Sequence, residues 1–385
     1  MENCFAVTAP GLAALAAAEL RALGIHPSPE SGGVAFTGDR EAIYKANLHL
    51  RTASRVIVRL GTPFFAAAFP ELRKKAARLP WDHFIKPGQP VALHVTCHKS
   101  RLYHSSAVAE RVAGAIADRM GKVSPAVKGS DASEEDNPAQ LVIVRLQNDQ
   151  VTISVDTSGA LLHRRGWRLA TAKAPLRETL AAAMLIASGW DTAFPLIDPF
   201  CGSGTIAIEA ALMALGRPPG CMRRFAFENW PGFDAARWKS LKSACSVPEK
   251  PVPPILASDR DAGAVEIARA NAERAGVADR IAFSRSAVSA IEPPQGPGWV
   301  VTNPPYGLRV SEGKDLRSLY AQLGNVLRAR CPGWHVAVLS SDLILLGQIG
   351  LKLDTSLSMV NGGVGVRLGV GQVPAEEQAT DLSSP

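Results

Sequence analysis

Apolar and polar positions follow two rhythms along the chain. In the first 157 residues, short β-type runs alternate with helical stripes in mixed order. Residues 4–8 and 34–37 read as strands, and 12–23 as a helix that Gly24 closes. Strands follow at 55–60 and 90–96, then a helix over 106–120 ended by Gly121. A hairpin of 141–146 and 150–156 turns at Asn148-Asp149. Residues 130–138 are polar and acidic and end in Asn-Pro, which predicts a loop. After Arg168 the rhythm becomes strand, helix, strand, helix. Helices are predicted at 180–188, 205–215 and 262–275, the last stopped by Gly276, and strands at 195–198, 255–258, 299–302 and 335–339. Apolar strands alternating with helices predict an α/β module with a mostly parallel, doubly wound sheet. Residues beyond 372 are polar and read as a frayed tail.

A length of 385 residues fits two or three domains, and 46% hydrophobic with 20% charged residues excludes a disordered chain. No stretch is apolar enough to span a membrane and the N-terminus lacks a basic leader, so a cytoplasmic address is expected. The six cysteines form no C-x-x-C pair, which predicts reduced thiols and neither a zinc ribbon nor a disulfide framework. The formal net charge is +7, mild for this length. Its placement matters more: residues 71–130 hold eleven basic side chains against four acidic ones, an excess equal to that of the entire chain. A concentrated basic segment is the electrostatic footprint of a phosphate-bearing partner, although a solvated surface would look similar.

The first motif with chemical content is Asp198-Pro199-Phe200-Cys201-Gly202-Ser203-Gly204-Thr205, where a strand turns into a helix. Glycines there admit a ligand close to the backbone, and the helix start offers free N–H groups. A P-loop would need a lysine that is absent, and a dinucleotide site would need an acid about 20 residues on. The available acid is Asp259, after the second strand, where a carboxylate can accept both hydroxyls of a ribose. The second motif is Val301-Thr302-Asn303-Pro304-Pro305-Tyr306-Gly307, also after a strand. An exocyclic amine is a poor nucleophile because its lone pair is delocalised into the ring. Acceptors at the Asn303 side chain and the Pro304 carbonyl would orient such an amine, with Tyr306 stacked on the base.

These two motifs, separated by the acid, resemble the class I S-adenosylmethionine-dependent amino-methyltransferases. The likeness extends through residues 174–183, 224–230 and Asn361-Gly362-Gly363. Residues 156–168 and 50–55 look like the THUMP-domain RNA guanine-N2 methyltransferases of bacteria, of the stand-alone large-subunit rRNA type. The resemblance implies a ferredoxin-like segment over 1–60, a THUMP RNA-binding domain over 61–157, a Rossmann-like methyltransferase domain with a seven-stranded sheet over 158–372, and a disordered tail at 373–385. It places S-adenosylmethionine among Thr179, Asp198, Phe200, Gly202, Ser203, Gly204, Thr205, Asp259, Arg260 and Asn303, and the base at Asn303, Pro304, Pro305 and Tyr306. The family's usual acid facing the adenine amine is replaced by Ala287, with Ser284, Ser286 and Ser289 nearby, so that contact stays unassigned.

A structured RNA, ribosomal RNA first, is the implied partner. The residues expected to hold it are Arg73, Lys74, Lys75, Arg78, Lys99, Arg101, Arg164, Arg165 and Arg168. For the last three, inside 156–168, RNA contact and a structural link weigh equally. No metal is implied, since the spacing of His94, Cys97, His98 and His104 matches no standard site. Cys201 as a nucleophile of C5 methylation is disfavoured, because that chemistry puts its cysteine where Asn303 stands. The alternatives are a tRNA guanine, an adenine N6 in DNA, which N-P-P-Y serves equally well, and an RNA-binding assembly factor with a vestigial methyltransferase fold.

Overall fold

The computed structural model describes residues 1–121, 126–127, 139–168, 176–246, 251–306 and 316–375. The loop expected at 130–138, Lys122 and Lys128 of the basic segment, and the end of the expected tail lie outside these residues. The chain forms two compact units, Met1–Arg165 with Pro218–Ser246, and Gly166–Arg217 with Val247–Pro385.

The first unit runs β1 (Glu2–Thr8), α1 (Ala13–Ala22), β2 (Pro27–Glu30), β3 (Gly33–Gly38), α2 (Arg40–His49), β4 (Ala53–Arg59), β5 (Phe64–Phe65), α3 (Phe69–Ala76), β6 (Val91–His98), α4 (Ser105–Met120), β7 (Ala126–Val127), β8 (Gln140–Gln147) and β9 (Gln150–Asp156). These strands make one sheet in the order β2-β3-β1-β4-β9-β8-β6-β7, with β5 on β9. The two N-terminal domains expected from sequence therefore share a continuous sheet, joined where Ile57 of β4 faces Asp156 of β9. Asn148 and Asp149 both take positive φ (51° and 62°), the turn that matches the twist of a tight hairpin. Leu72, Val108, Val112 and Ile116 of α3 and α4 pack with Val142, Val144, Leu146 and Val151 of the sheet.

The second unit opens with α5 (Glu178–Ala187), β10 (Leu196–Asp198) and α6 (Thr205–Ala214). Residues 218–246 then leave it and complete the first unit's core. Phe227, Phe233 and Trp238, the last on α7 (Ala235–Lys242), surround Tyr44 of α2; Tyr44 stacks on Phe227 at 4.5 Å, and Phe225 stacks on the same Phe227. Trp230 Nε1 donates to Gln140 Oε1 (2.7 Å). The buried Arg223 guanidinium donates to the carbonyls of Ser158, Ala160, Leu161 and Arg164. Cys221 and Cys245 are disulfide-bonded (S–S 2.10 Å), which corrects the expectation of thiols throughout. Their separation of 24 residues carries no spacing signature; only the fold of the excursion brings its ends together. The other four cysteines are free.

The chain returns as β11 (Ile255–Asp259), α8 (Ala262–Ala275), β12 (Ala282–Arg285), β13 (Trp299–Thr302), α9 (Arg317–Arg330), β14 (His335–Ser340), α10 (Leu343–Gln348), β15 (Leu353–Asp354), β16 (Ser358–Asn361) and β17 (Val364–Gln372). The strand order is β12-β11-β10-β13-β14-β17-β15, with β16 added on β17. Neighbours from β12 to β14 are parallel, and β17 is antiparallel to β14. Strand order reverses at β10, with β11 on one side and β13 on the other, and ligands of such sheets bind at the carboxyl ends beside that point. At the C-terminus Val373, expected to fray, is buried and donates to the Trp334 carbonyl (2.8 Å).

Candidate active site

The turn from β10 into α6 needs glycine twice. Gly202 (φ +50°) and Gly204 (φ +82°) lie in the left-handed region. A Cβ on Gly204 would stand 3.0 Å from the Ala268 Cβ of α8, whereas one on Gly202 would meet nothing within 4 Å. One side of the turn is thus packed against a helix and the other is open. Asp259, at the end of β11, accepts from Gly202 N through Oδ2 (3.0 Å) and from Asp261 N through Oδ1 (3.0 Å). Both bonds fix the carboxylate and leave accepting capacity on each oxygen.

The rest of the turn is tied from below. Asn271 of α8, fully buried, donates to the Ser203 carbonyl (3.0 Å) and accepts from Arg274, whose Nε donates to the Trp167 carbonyl. Arg168 pairs with Glu178 (2.8 Å) and donates to the Leu176 carbonyl (3.2 Å) and to Thr205 Oγ1 (2.5 Å).

Asp198 ends β10 in full burial. Its Oδ1 accepts from Thr302 Oγ1 (2.7 Å) and Phe200 N (3.3 Å), while Oδ2 is buried with no partner. Burial, with the charge of Asp259 adding to it, pushes the Asp198 carboxyl up to about 7. One strand over, Asn303 follows β13 with its Oδ1 buried and likewise unpartnered. The Tyr320 hydroxyl lies 3.3 Å from both the Pro305 carbonyl and Ser340 Oγ, and Asn361 Nδ2 donates to the Tyr306 hydroxyl (3.0 Å). Burial raises the Tyr306 phenol, so it stays protonated near neutral pH.

An unsatisfied buried acceptor costs about 1–3 kcal/mol. Two of them at the ends of adjacent central strands, beside an open glycine turn, fit a ligand that brings its own donors. Cys201 is no nucleophile here: burial and the charges of Asp198 and Asp259 push its thiol far above the usual range.

The sequence-predicted residues mostly converge on this edge. Asp198, Phe200, Gly202, Ser203, Gly204, Thr205, Asp259 and Asn303 through Tyr306 line the ends of β10, β11 and β13. Thr179 is buried in the first turn of α5, and the Arg260 side chain is exposed. Near Ala287 the Ser286 backbone donates to the Asp259 carbonyl (3.1 Å). Asn271, Tyr320 and Arg274 were not anticipated, and Thr302 and Asn361 were noticed only within their motifs, with no role of their own.

The expected RNA set divides. Arg165 is a correction: it is buried, donating to the carbonyls of Leu162 and Arg51. Arg168 is a second, committed to Glu178 and Thr205, and Trp167 beside it is fully buried. Arg164 is exposed. Arg73 pairs with Asp118 (2.7 Å), Lys75 with Glu71 (2.7 Å) and Arg101 more loosely with Asp149 (3.7 Å). Lys74, Arg78 and Lys99 are exposed. Among the described residues no three His, Cys, Asp or Glu groups could hold a metal, and no helix is long and apolar enough to cross a membrane.

The sheet order, the glycine turn, the acid after the second strand and the Asn-Pro-Pro-Tyr edge together define a class I methyltransferase, whose cofactor is S-adenosylmethionine. The chain belongs to the RMKL-like methyltransferase family, whose domain model matches residues 165–368; an RlmL ferredoxin-like domain matches 3–57 and a THUMP domain 66–156. It is 35% identical over 366 residues to a Synechocystis protein named "Putative RNA methyltransferase slr0064", with 94% of each chain covered. It is 36% identical to the "Ribosomal RNA large subunit methyltransferase K/L" of Methylococcus capsulatus, covering 100% of this chain and 53% of that one. The chain thus spans about half the length of its K/L relatives. Among solved structures, "SMU.472, a putative methyltransferase complexed with SAH" superposes with a TM-score of 0.86 at 29% identity, covering 98% of both chains.

Proposed function

We propose that the protein methylates the exocyclic N2 of a guanine in large-subunit ribosomal RNA, in the cytoplasm. The observation that carries this reading is the buried, unpartnered Oδ1 of Asn303 at the edge of the switch point. Asn303 Oδ1 and the Pro304 carbonyl each accept one hydrogen of the amine, which turns its lone pair out of conjugation and toward the cofactor side. Tyr306 stacks on the base, its phenol tethered by Asn361. Prolines 304 and 305 fix the carbonyl direction and offer no competing N–H. Thr179, Asp198, Phe200, Gly202, Ser203, Gly204, Thr205, Asp259 and Arg260 would hold S-adenosylmethionine, with Asp259 on the ribose. When bound, that group supplies an electrophilic sulfonium methyl. Positioning and exclusion of water then lower the barrier, and the product proton leaves late to water.

Support for RNA as substrate comes from the THUMP match, the basic segment and the names of the relatives. The domain division expected from sequence is kept, with 218–246 assigned to the N-terminal half. Incubation with labelled S-adenosylmethionine and unmodified rRNA, tRNA or DNA, followed by nucleoside mass spectrometry, should give N2-methylguanine in rRNA. Label found only in DNA or protein overturns the reading.

A further inference from the structure

Strands β5, β9, β8 and β6 pack one face on α3 and α4 and leave part of the other open. β8 buries Val142, Val144 and Leu146 but exposes Arg145 and Gln147, and β6 exposes His94, Thr96 and His98. Pairing aligns these side chains in two rows. Phe65 faces Gln150, which faces Gln147, which faces His98; Thr152 faces Arg145, which faces Thr96. Between them lies a concavity of ≈ 530 Å³ lined by Phe65, Arg145, Gln147, Asn148, Gln150 and Thr152.

Three features of this face are unusual for a surface that only meets water. Phe65 is 53% exposed, yet its backbone is held by Lys75 Nζ on its carbonyl (2.8 Å) and by the next residue, Ala66 N, on the Asp149 carbonyl (2.9 Å). A large apolar ring is thus presented to solvent from a backbone held on both sides. Arg145 has no ion-pair partner among the described residues. Neither row contains an acid, so the charge along these rows is positive wherever it is not neutral.

We infer that this open sheet face is a platform for a single-stranded segment of the RNA substrate. A base stacks on Phe65, the amides of Asn148, Gln147 and Gln150 meet its polar edge, and Arg145 meets a phosphate. Aromatic rings on an open sheet serve unpaired bases in this way because every base offers a π-face, and amides can both donate and accept. The side chains of this face come from strands and not from the basic run of α3, where Arg73 and Lys75 are already paired. The inference rests on the RNA reading above.

The test is fluorescence anisotropy of the full chain with a labelled single-stranded oligoribonucleotide, beside methylation of rRNA. Phe65→Ala should weaken binding roughly five- to a hundredfold, the loss of one base stack, and Phe65→Trp should restore it. Arg145→Gln should weaken binding and reduce the slope of log affinity against log salt by roughly 0.7, one single-strand phosphate. Melting temperature and S-adenosylhomocysteine affinity should match the parent, because these side chains are exposed. If both variants bind and methylate RNA like a parent that is active on rRNA, the platform is wrong while the RNA reading stands. If the parent methylates DNA alone, the RNA reading falls and the platform with it.

Discussion

Asn303 and Asp198 hold oxygens that the protein leaves unsatisfied, and each makes a separate prediction. Asn303→Ala removes one of two acceptors for the reacting amine. Turnover should fall on the order of a hundredfold with cofactor affinity little changed, as single-turnover kinetics and calorimetry would show. Asp198 is a carboxyl raised by burial to about 7, so the folded chain holds its proton more tightly than the unfolded chain does. Its contribution to stability is full below the unfolded value of about 4 and is lost as pH rises through about 7. The melting temperature of the free protein should therefore drop between about pH 4 and 7 and level off above that, and Asp198→Asn should flatten that drop in a thermal scan. Asn303, Asp198 and Asp259 were legible because each sits in a local motif at a strand end. Arg165 and Arg168 were misread for the opposite reason. Sequence shows a charge but not its partner, and theirs are carbonyls and a glutamate assembled by the fold.

At the scale of elements, local signals were strong. The helix closed by Gly121 and the hairpin at Asn148-Asp149 appear where turn chemistry placed them, since positive φ is decided by the residue itself. Helix α2 went unseen: its start depends on Asp39 accepting from Ala42 N, and its buried face is set by the distant excursion. The β16–β17 hairpin is the element whose function is least local. Among the described residues it reaches the site through the bond from Asn361 to Tyr306. Asn361→Ala should free the Tyr306 ring and lower kcat/KM for RNA about tenfold while S-adenosylhomocysteine affinity is unchanged, in steady-state and titration measurements. A loss of cofactor affinity instead would show that the hairpin supports the fold rather than the base.

For the molecule as a whole, the excess charge found in one segment is partly spent inside that segment. Of Lys74, Lys75 and Arg78, Lys75 is tied to Glu71, so replacing all three should remove two available cations. The salt slope for a structured RNA should shrink by roughly 0.9 for each, about two phosphates in all, in filter binding across salt concentrations. An unchanged slope would return α3 to an ordinary solvated surface. Composition located this segment but could not divide it into paired and free charges, nor reveal that residues 218–246 belong to the first unit. That excursion has a consequence in time. Phe225, Phe227, Trp230 and Trp238 close the first unit's core, so a ribosome making this chain must extend past residue 246 before that core can form. By then β10 and α6 of the other unit have already been synthesised. The N-terminal half cannot close its core until the first elements of the catalytic unit have been made, and a gene fusion that exchanged the catalytic half would have to leave 218–246 behind with its partner.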